Sequence, residues 1–413
     1  MLETAAGLSG AAGKRDQAVK EAGVRREVPR VDQEFDRYDT QGLYGGHLVR
    51  AGPDGWSSSR VQNESSSARS GAMPSGTTSS CHCAYRVSGS ERVPCMPLPR
   101  VAILDDYQEV ALASADWSAI TGRADITVFT GHIADSGDLA RRLAPYEVIV
   151  AMRERTPFPA ALLGQLPALK LLITTGMRNA SLDLAAARRR GVTVCGTAGS
   201  GAGAPELAWG LIMAVARNIP QEDALVRAGG WQAAVGRELA GSTLGLLGLG
   251  RIGQRVARYA HAFDMDVIAW SQNLTGSRAR SCGARLVTKT ELFAKAGIVS
   301  IHLQLSARTA GLVGAAELAL LGPDGYLVNT SRGPVVDEAA LISALRGNVI
   351  AGAGLDVFAV EPLPAGHPLR SLPNTVITPH IGYVTAQGYE VFYADIVADI
   401  AAWLDGSPVR VIS

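Results

Sequence analysis

The chain has 413 residues, 47% of them hydrophobic, with 39 basic and 38 acidic side chains and a formal net charge of +1. This is material for two ordinary domains with full cores. The balance of charge denies it the basic face that holds nucleic acid or an anionic membrane, so neither is expected as a partner. No apolar run approaches the roughly 20 residues of a membrane helix; the densest, residues 207–216, contains Trp209 and reads as a buried helix. Of the five cysteines, Cys81, Cys83 and Cys95 lie near the N-terminus and only Cys195 and Cys282 in the body, which makes no disulfide framework. With no basic-then-apolar leader either, a reduced, cytoplasmic protein is expected.

Residues 1–95 are rich in Ser, Gly and Arg, as in Ser65-Ser66-Ser67-Ala68-Arg69-Ser70, and show neither strand nor helix periodicity. Such a segment buries too little apolar surface to offset chain entropy. It is expected to be a disordered extension or a mis-called start, the natural chain then beginning at Met96. Cys81-His82-Cys83 lacks a second ligand pair and is not expected to hold a metal.

After Pro97-Leu98-Pro99 the pattern changes to short β-branched runs alternating with helical segments. Strands are expected over 101–105, 126–130, 148–152, 171–175 and 192–195. Helices over 158–165 and 182–190 fall between them, the latter closed by Gly191. Gly199-Ser200-Gly201-Ala202-Gly203 reads as a hinge. A long helix from Pro205 to about Arg227 follows, with its proline in a favoured first-turn position. A second series of strands is expected over 243–249, 266–271, 298–303, 326–330, 352–358 and 375–378, and a last helix over about 387–404. This alternation predicts an α/β protein of two doubly wound domains, with ligands in the cleft at their junction.

The sharpest motif is Gly245-Leu246-Leu247-Gly248-Leu249-Gly250-Arg251-Ile252-Gly253. Gly248, Gly250 and Gly253 have the G-x-G-x-x-G spacing, behind an expected strand and ahead of a helix that places Ile252, Val256, Tyr259 and Phe263 on one face. In that context the glycines permit a tight turn, close approach of a pyrophosphate and close helix–strand packing. Arg251, Ile252 and Gly253 begin the helix whose free N–H groups would face the phosphates. The next strand should end in an acid that holds the adenosine ribose, but Ser271 stands there, followed by Gln272 and Asn273. The missing acid removes repulsion against a 2′-phosphate, yet the nearest arginines are Arg278 and Arg280. Both NAD(H) and NADP(H) stay open, with NAD(H) favoured.

Three further segments follow in order: Val328-Asn329-Thr330-Ser331-Arg332-Gly333-Pro334-Val335-Val336-Asp337, Leu355-Asp356-Val357-Phe358-Ala359-Val360-Glu361-Pro362-Leu363-Pro364, and Thr378-Pro379-His380-Ile381-Gly382. With the glycine motif they closely resemble the D-isomer-specific 2-hydroxyacid dehydrogenase family, over essentially all of residues 97–413. That family includes glyoxylate/hydroxypyruvate reductases, D-lactate dehydrogenases and phosphoglycerate dehydrogenases. The resemblance implies a Rossmann dinucleotide-binding domain, residues 198–382, inserted in a flavodoxin-like substrate domain made of 96–197 and 383–413. It implies hydride transfer between a nicotinamide and a small 2-hydroxy/2-oxo acid pair, and a homodimer built through the long helix.

The residue types suit that chemistry. Arg332 matches the arginine that grips the substrate carboxylate, for which a planar guanidinium is better shaped than a lysine. His380 matches the acid/base, Glu361 its carboxylate partner, and Asp356 a position near the nicotinamide carboxamide. The glutamate argues against formate dehydrogenase, a relative whose histidine pairs with glutamine. The loop expected to bind the substrate carboxylate through backbone N–H groups is Gly176-Met177-Arg178-Asn179. Arg178, with Arg153 and Arg155 after another strand, would favour a substrate with a second anionic or strongly polar group. Tyr383 would narrow the pocket beside His380. Two alternatives remain: an NAD(H)-sensing, corepressor-like binding protein of the same fold, and a short-form phosphoglycerate dehydrogenase.

Overall fold

The computed structural model describes residues 97–412. The expectations for residues 1–95, the Cys81-His82-Cys83 triplet included, lie outside the described residues.

The first sheet is parallel and contains β1 (Arg100–Ile103), β2 (Asp125–Val128), β3 (Val148–Ala151), β4 (Leu171–Thr174) and β5 (Thr193–Gly196), in the order β2-β1-β3-β4-β5. Side chains alternate across it, as strand geometry requires. Val101, Ile103, Val148, Val150, Leu171 and Ile173 enter one core, while Ala102, Ile149, Ala151 and Leu172 enter the other. Burial on both faces is why β3 and β4 read as unbroken apolar runs. The helices α1 (Ser136–Leu143), α2 (Ala160–Gly164) and α3 (Leu184–Arg189) close one face. The opposite face is closed by the last helix, α11 (Ala386–Leu404), through Tyr389, Phe392, Tyr393, Ile396 and Ile400. The crossover from β1 to β2 carries turns in place of a helix, and its Trp117 and Ile120 fill the core there.

The second sheet is also parallel: β6 (Thr243–Leu247), β7 (Asp266–Trp270), β8 (Arg285–Leu286), β9 (Ile298–Ile301), β10 (Tyr326–Asn329), β11 (Gly352–Leu355) and β12 (Thr375–Ile377). Their order is β12-β11-β10-β9-β6-β7-β8. The order reverses between β1 and β3 in the first sheet and between β6 and β9 in the second, and crevices open at such points. The expected α/β, doubly wound architecture is present. β8 was not expected; its two residues are exposed at the sheet edge, so no apolar run announces it.

Two expectations are corrected. The long helix over 205–227 is two helices, α4 (Gly203–Arg217) and α5 (Ile219–Arg227), because Asn218 takes a left-handed φ of 53° and Pro220 starts the second. In α6 (Arg251–Ala262) the buried face is Gly253, Val256, Ala257 and Ala260. Small side chains let this helix lie close to the sheet, and Tyr259 and Phe263 turn instead toward Trp209 of α4, Phe263 at 4.9 Å. No helix of the described residues is long and apolar enough to cross a membrane.

Candidate active site

The glycine turn follows β6. Gly248 has a φ of 106°, and a Cβ there would lie 2.6 Å from the His302 carbonyl oxygen. A Cβ on Gly253 would lie 2.2 Å from the Gly248 carbonyl oxygen, so these two positions exclude side chains. At Gly250 a Cβ would meet nothing within 4 Å. The space in front of α6 is therefore open, and no side chain caps the helix N-terminus formed by Arg251, Ile252 and Gly253. An open cradle before uncapped amides fits a dinucleotide pyrophosphate. Burial pulls His302 down to about 4, so it packs neutral beneath the turn with Ser300 Oγ 3.0 Å from its Nε2. Ser271 follows β7 half-buried, with Gln272, Asn273, Arg278 and Arg280 exposed beyond it.

Arg332, Asp356 with Glu361, and His380 follow β10, β11 and β12, three neighbouring strands, at their carboxyl ends. Asp356 is buried and spends its acceptors on the segment that carries the histidine. Its Oδ1 accepts from Thr378 Oγ1 at 2.6 Å and Ile381 N at 2.8 Å, and its Oδ2 from Gly382 N at 2.9 Å. Burial raises its pKa, against these hydrogen bonds and the nearby His380. So clamped, His380 holds a left-handed φ of 54°, and its Nδ1 lies 2.6 Å from Glu361 Oε2. Glu361 Oε1 accepts from Phe358 N at 2.9 Å, which fixes the carboxylate. The structure thus brings together His380, Glu361 and Asp356.

Arg332 is positioned by Asn329, whose side chain accepts from Ser331 N and donates to the Arg332 carbonyl, both at 3.0 Å. Ser331 Oγ donates to the Leu303 carbonyl. Arg332 Nη1 donates to the Ser331 carbonyl at 2.6 Å, and Nη2 to Glu154 Oε1 at 2.5 Å. Glu154 belongs to the loop after β3, at the reversal point of the first sheet, so this ion pair joins the carboxyl ends of the two sheets. Burial pushes the Glu154 carboxyl up, but Arg332, Arg153 and His380 outweigh it and hold it below its usual range.

Around this pair the first sheet supplies a cage of arginines and tyrosines. Arg153 Nη1 donates to the Thr175 carbonyl at 3.1 Å. Gly176 has a φ of 87°, which L side chains rarely adopt, and a Cβ there would displace the Arg153 guanidinium, 2.0 Å away at Nη1. Arg155 donates to the Asp105 carbonyl at 2.6 Å and lies over the Tyr107 ring at 4.4 Å. Both guanidinium groups also stand over Tyr383, at 5.7 and 5.5 Å. The Tyr383 ring meets His380 edge-on at 5.5 Å, and its hydroxyl is buried with no partner among the described residues. The expected narrowing beside the histidine is thus present.

The loop Gly176-Met177-Arg178-Asn179 is tied down at both ends. Gly176 N donates to Thr197 Oγ1 at 2.8 Å, and Asn179 Nδ2 donates to the Arg153 carbonyl at 2.6 Å. Met177 and Arg178 are exposed. The three arginines do not converge as one anion site: Arg178 faces solvent, while Arg153 and Arg155 are spent on backbone carbonyls and aromatic faces. Glu154 is the residue that sequence reasoning missed. Its signal was its place between two arginines at a strand end, where the cations drew attention and the acid did not.

Residues 209–382 match the family model described as D-isomer specific 2-hydroxyacid dehydrogenase, NAD binding domain. A glyoxylate reductase of Thermococcus litoralis is 37% identical over 255 residues, which are 59% of this chain and 77% of that protein. A D-3-phosphoglycerate dehydrogenase of Archaeoglobus fulgidus is 35% identical over 289 residues, 69% of this chain. The chain spans only 54–58% of the length of that enzyme and a mycobacterial counterpart. Among solved structures, a phosphoglycerate oxidoreductase from Vibrio cholerae superposes with a TM-score of 0.72 at 38% identity, covering 75% of this chain and 100% of that one. The chain belongs to the D-isomer-specific 2-hydroxyacid dehydrogenases.

Proposed function

We propose that the chain is an NAD(P)-dependent oxidoreductase that interconverts a small 2-oxo acid and its D-2-hydroxy acid. The observation that carries this reading is the His380–Glu361 pair at 2.6 Å, made between the segments after β12 and β11, with Arg332 after the adjoining β10. A nicotinamide dinucleotide seated on the Gly248–Gly253 turn would supply the hydride. Arg332 grips the substrate carboxylate and polarises the carbonyl with its planar fork. Glu361 engages Nδ1 of His380 and fixes the ring, which leaves Nε2 to deliver a proton to the carbonyl oxygen. In oxidation the same nitrogen takes that proton back. Asp356 holds the histidine segment, and the N–H groups of Met177 and Arg178 are available for the carboxylate.

NAD(H) is the favoured cofactor, and Ser271 admits NADP(H) as well, since no carboxylate repels a 2′-phosphate there. A homodimer is supported by apolar side chains left exposed on α5 and the stretch after it: Ile219, Val226, Trp231 at 77% and Val235 at 99% exposure.

The test is oxidation of NADH and of NADPH by the full chain against glyoxylate, hydroxypyruvate, phosphohydroxypyruvate, pyruvate and branched 2-oxo acids, with His380→Ala as control. Turnover that depends on the acid and collapses in the control is expected. Tight cofactor binding with no turnover of any acid would refute the enzyme and favour a nucleotide-sensing protein.

A further inference from the structure

Glu154 is an unusual neighbour for an arginine meant to hold a carboxylate. Its side chain is 16% exposed, it engages Arg332 through Oε1, and its Oε2 is buried with no hydrogen-bond partner. Arg153 Nε, 3.8 Å from Oε2, is too far for a hydrogen bond and is itself unpartnered. The carboxyl is held ionised by Arg332, Arg153 and His380 despite its burial. A buried anionic oxygen without a donor is costly, and a ligand that brings one relieves that cost.

The charges of the site point the same way. Arg153, Arg155, Arg332 and His380 in its proton-donating form stand against the carboxylates of Glu154, Glu361 and Asp356, which leaves a single net positive charge. One substrate carboxylate balances it. A phosphate in addition would lie against the Glu154 carboxylate, while the Arg153 and Arg155 guanidinium groups are turned to the Thr175 and Asp105 carbonyls and to tyrosine rings.

Resting on the proposed reductase reading, we propose that Glu154 is a specificity-determining residue: its free Oε2 accepts a hydrogen bond from a hydroxyl on the carbon chain of the 2-oxo acid, and its charge excludes acids bearing a second anion. The favoured substrate class is then an unphosphorylated hydroxy-2-oxo acid. Its hydroxyl satisfies Oε2, while its carboxylate shares Arg332 with Oε1.

The test compares hydroxypyruvate, pyruvate and phosphohydroxypyruvate on the full chain and on Glu154→Ala and Glu154→Gln. The wild type should prefer hydroxypyruvate over pyruvate in kcat/KM by roughly 10- to 100-fold, the worth of one hydrogen bond to a charged acceptor. In Glu154→Ala that ratio should collapse toward one, while phosphohydroxypyruvate gains about tenfold or more relative to hydroxypyruvate. Glu154→Gln, of the same size and still an acceptor, should keep part of the hydroxyl preference but lose the exclusion of phosphate. If all three acids fall alike in both variants, with their ratios unchanged, Glu154 merely holds Arg332 and the proposal is overturned while the reductase stands. If the wild type turns over no 2-oxo acid, the reductase reading fails and takes this one with it.

Discussion

Replacing Glu361 by glutamine keeps the length and volume of the side chain but halves its acceptors. In the structure the carboxylate serves two groups, Phe358 N at 2.9 Å and His380 Nδ1 at 2.6 Å. An amide offers one oxygen and one NH2. If the oxygen stays on Phe358, the NH2 faces Nδ1 and makes that nitrogen an acceptor, so the ring cannot hold a proton on both nitrogens and becomes a poor acid. If it turns to Nδ1, the Phe358 N–H confronts an NH2 group. The imidazolium also loses its counter-charge in either case. A hydrogen bond to a charged group is worth about 1.5–3 kcal/mol. At about 1.4 kcal/mol per tenfold step, kcat for reduction should fall roughly 10- to 100-fold. KM for the 2-oxo acid should change little, because in the proposed site Arg332 and the Met177–Arg178 amides hold the carboxylate. Steady-state oxidation of NADH reads both constants, and a melting curve confirms that the variant is folded. A kcat within about twofold of wild type would refute the reasoning, as would a loss confined to KM.

Two more predictions come from other parts of the molecule. Ser271→Asp should lower kcat/KM with NADPH by about tenfold or more and leave NADH nearly untouched, since a carboxylate beside a 2′-phosphate is repelled; an unchanged cofactor ratio would show that the phosphate does not reach β7. Asp399, fully buried on α11, has its carboxyl pushed up from 3.8 to about 7 by burial, against Arg410 at 3.1 Å and with Asp395 adding to the rise. The folded state therefore binds this proton more tightly than the unfolded chain, so the protein loses stability as pH rises from about 4 to 7. The upper bound is about 4 kcal/mol, and relaxation and water penetration around the buried group bring it to about 1–2 kcal/mol. Asp399→Asn should then match wild type near pH 4 and melt roughly 2–4 °C higher at pH 8. A difference that does not vary with pH would contradict this.

Local signals determined much of this protein. The G-x-G-x-x-G spacing is legible because each glycine answers a steric demand within a few residues: Gly248 and Gly253 cannot carry a Cβ where they stand. The unbroken apolar runs of β3 and β4 announce burial on both faces, and so a parallel sheet. Arg332, Glu361 and His380 were found from three separate segments, each fixed near the end of its own strand, although their roles rest on the chemistry proposed above. The break at Asn218 had a local signal in Pro220, two residues on, which the expected long helix ran through. What needed the tertiary structure is everything that depends on distance between segments far apart in the chain. The packed face of α6 is set by how closely the helix can approach its sheet, and that favours Ala and Gly over the larger apolar residues that periodicity selects. Most of all, the partner of Arg332 lies 178 positions away. An acid between two arginines reads in sequence as part of a charged turn. Only the meeting of two sheet crevices turns Glu154 inward, where a buried charge has to find a cation and a donor.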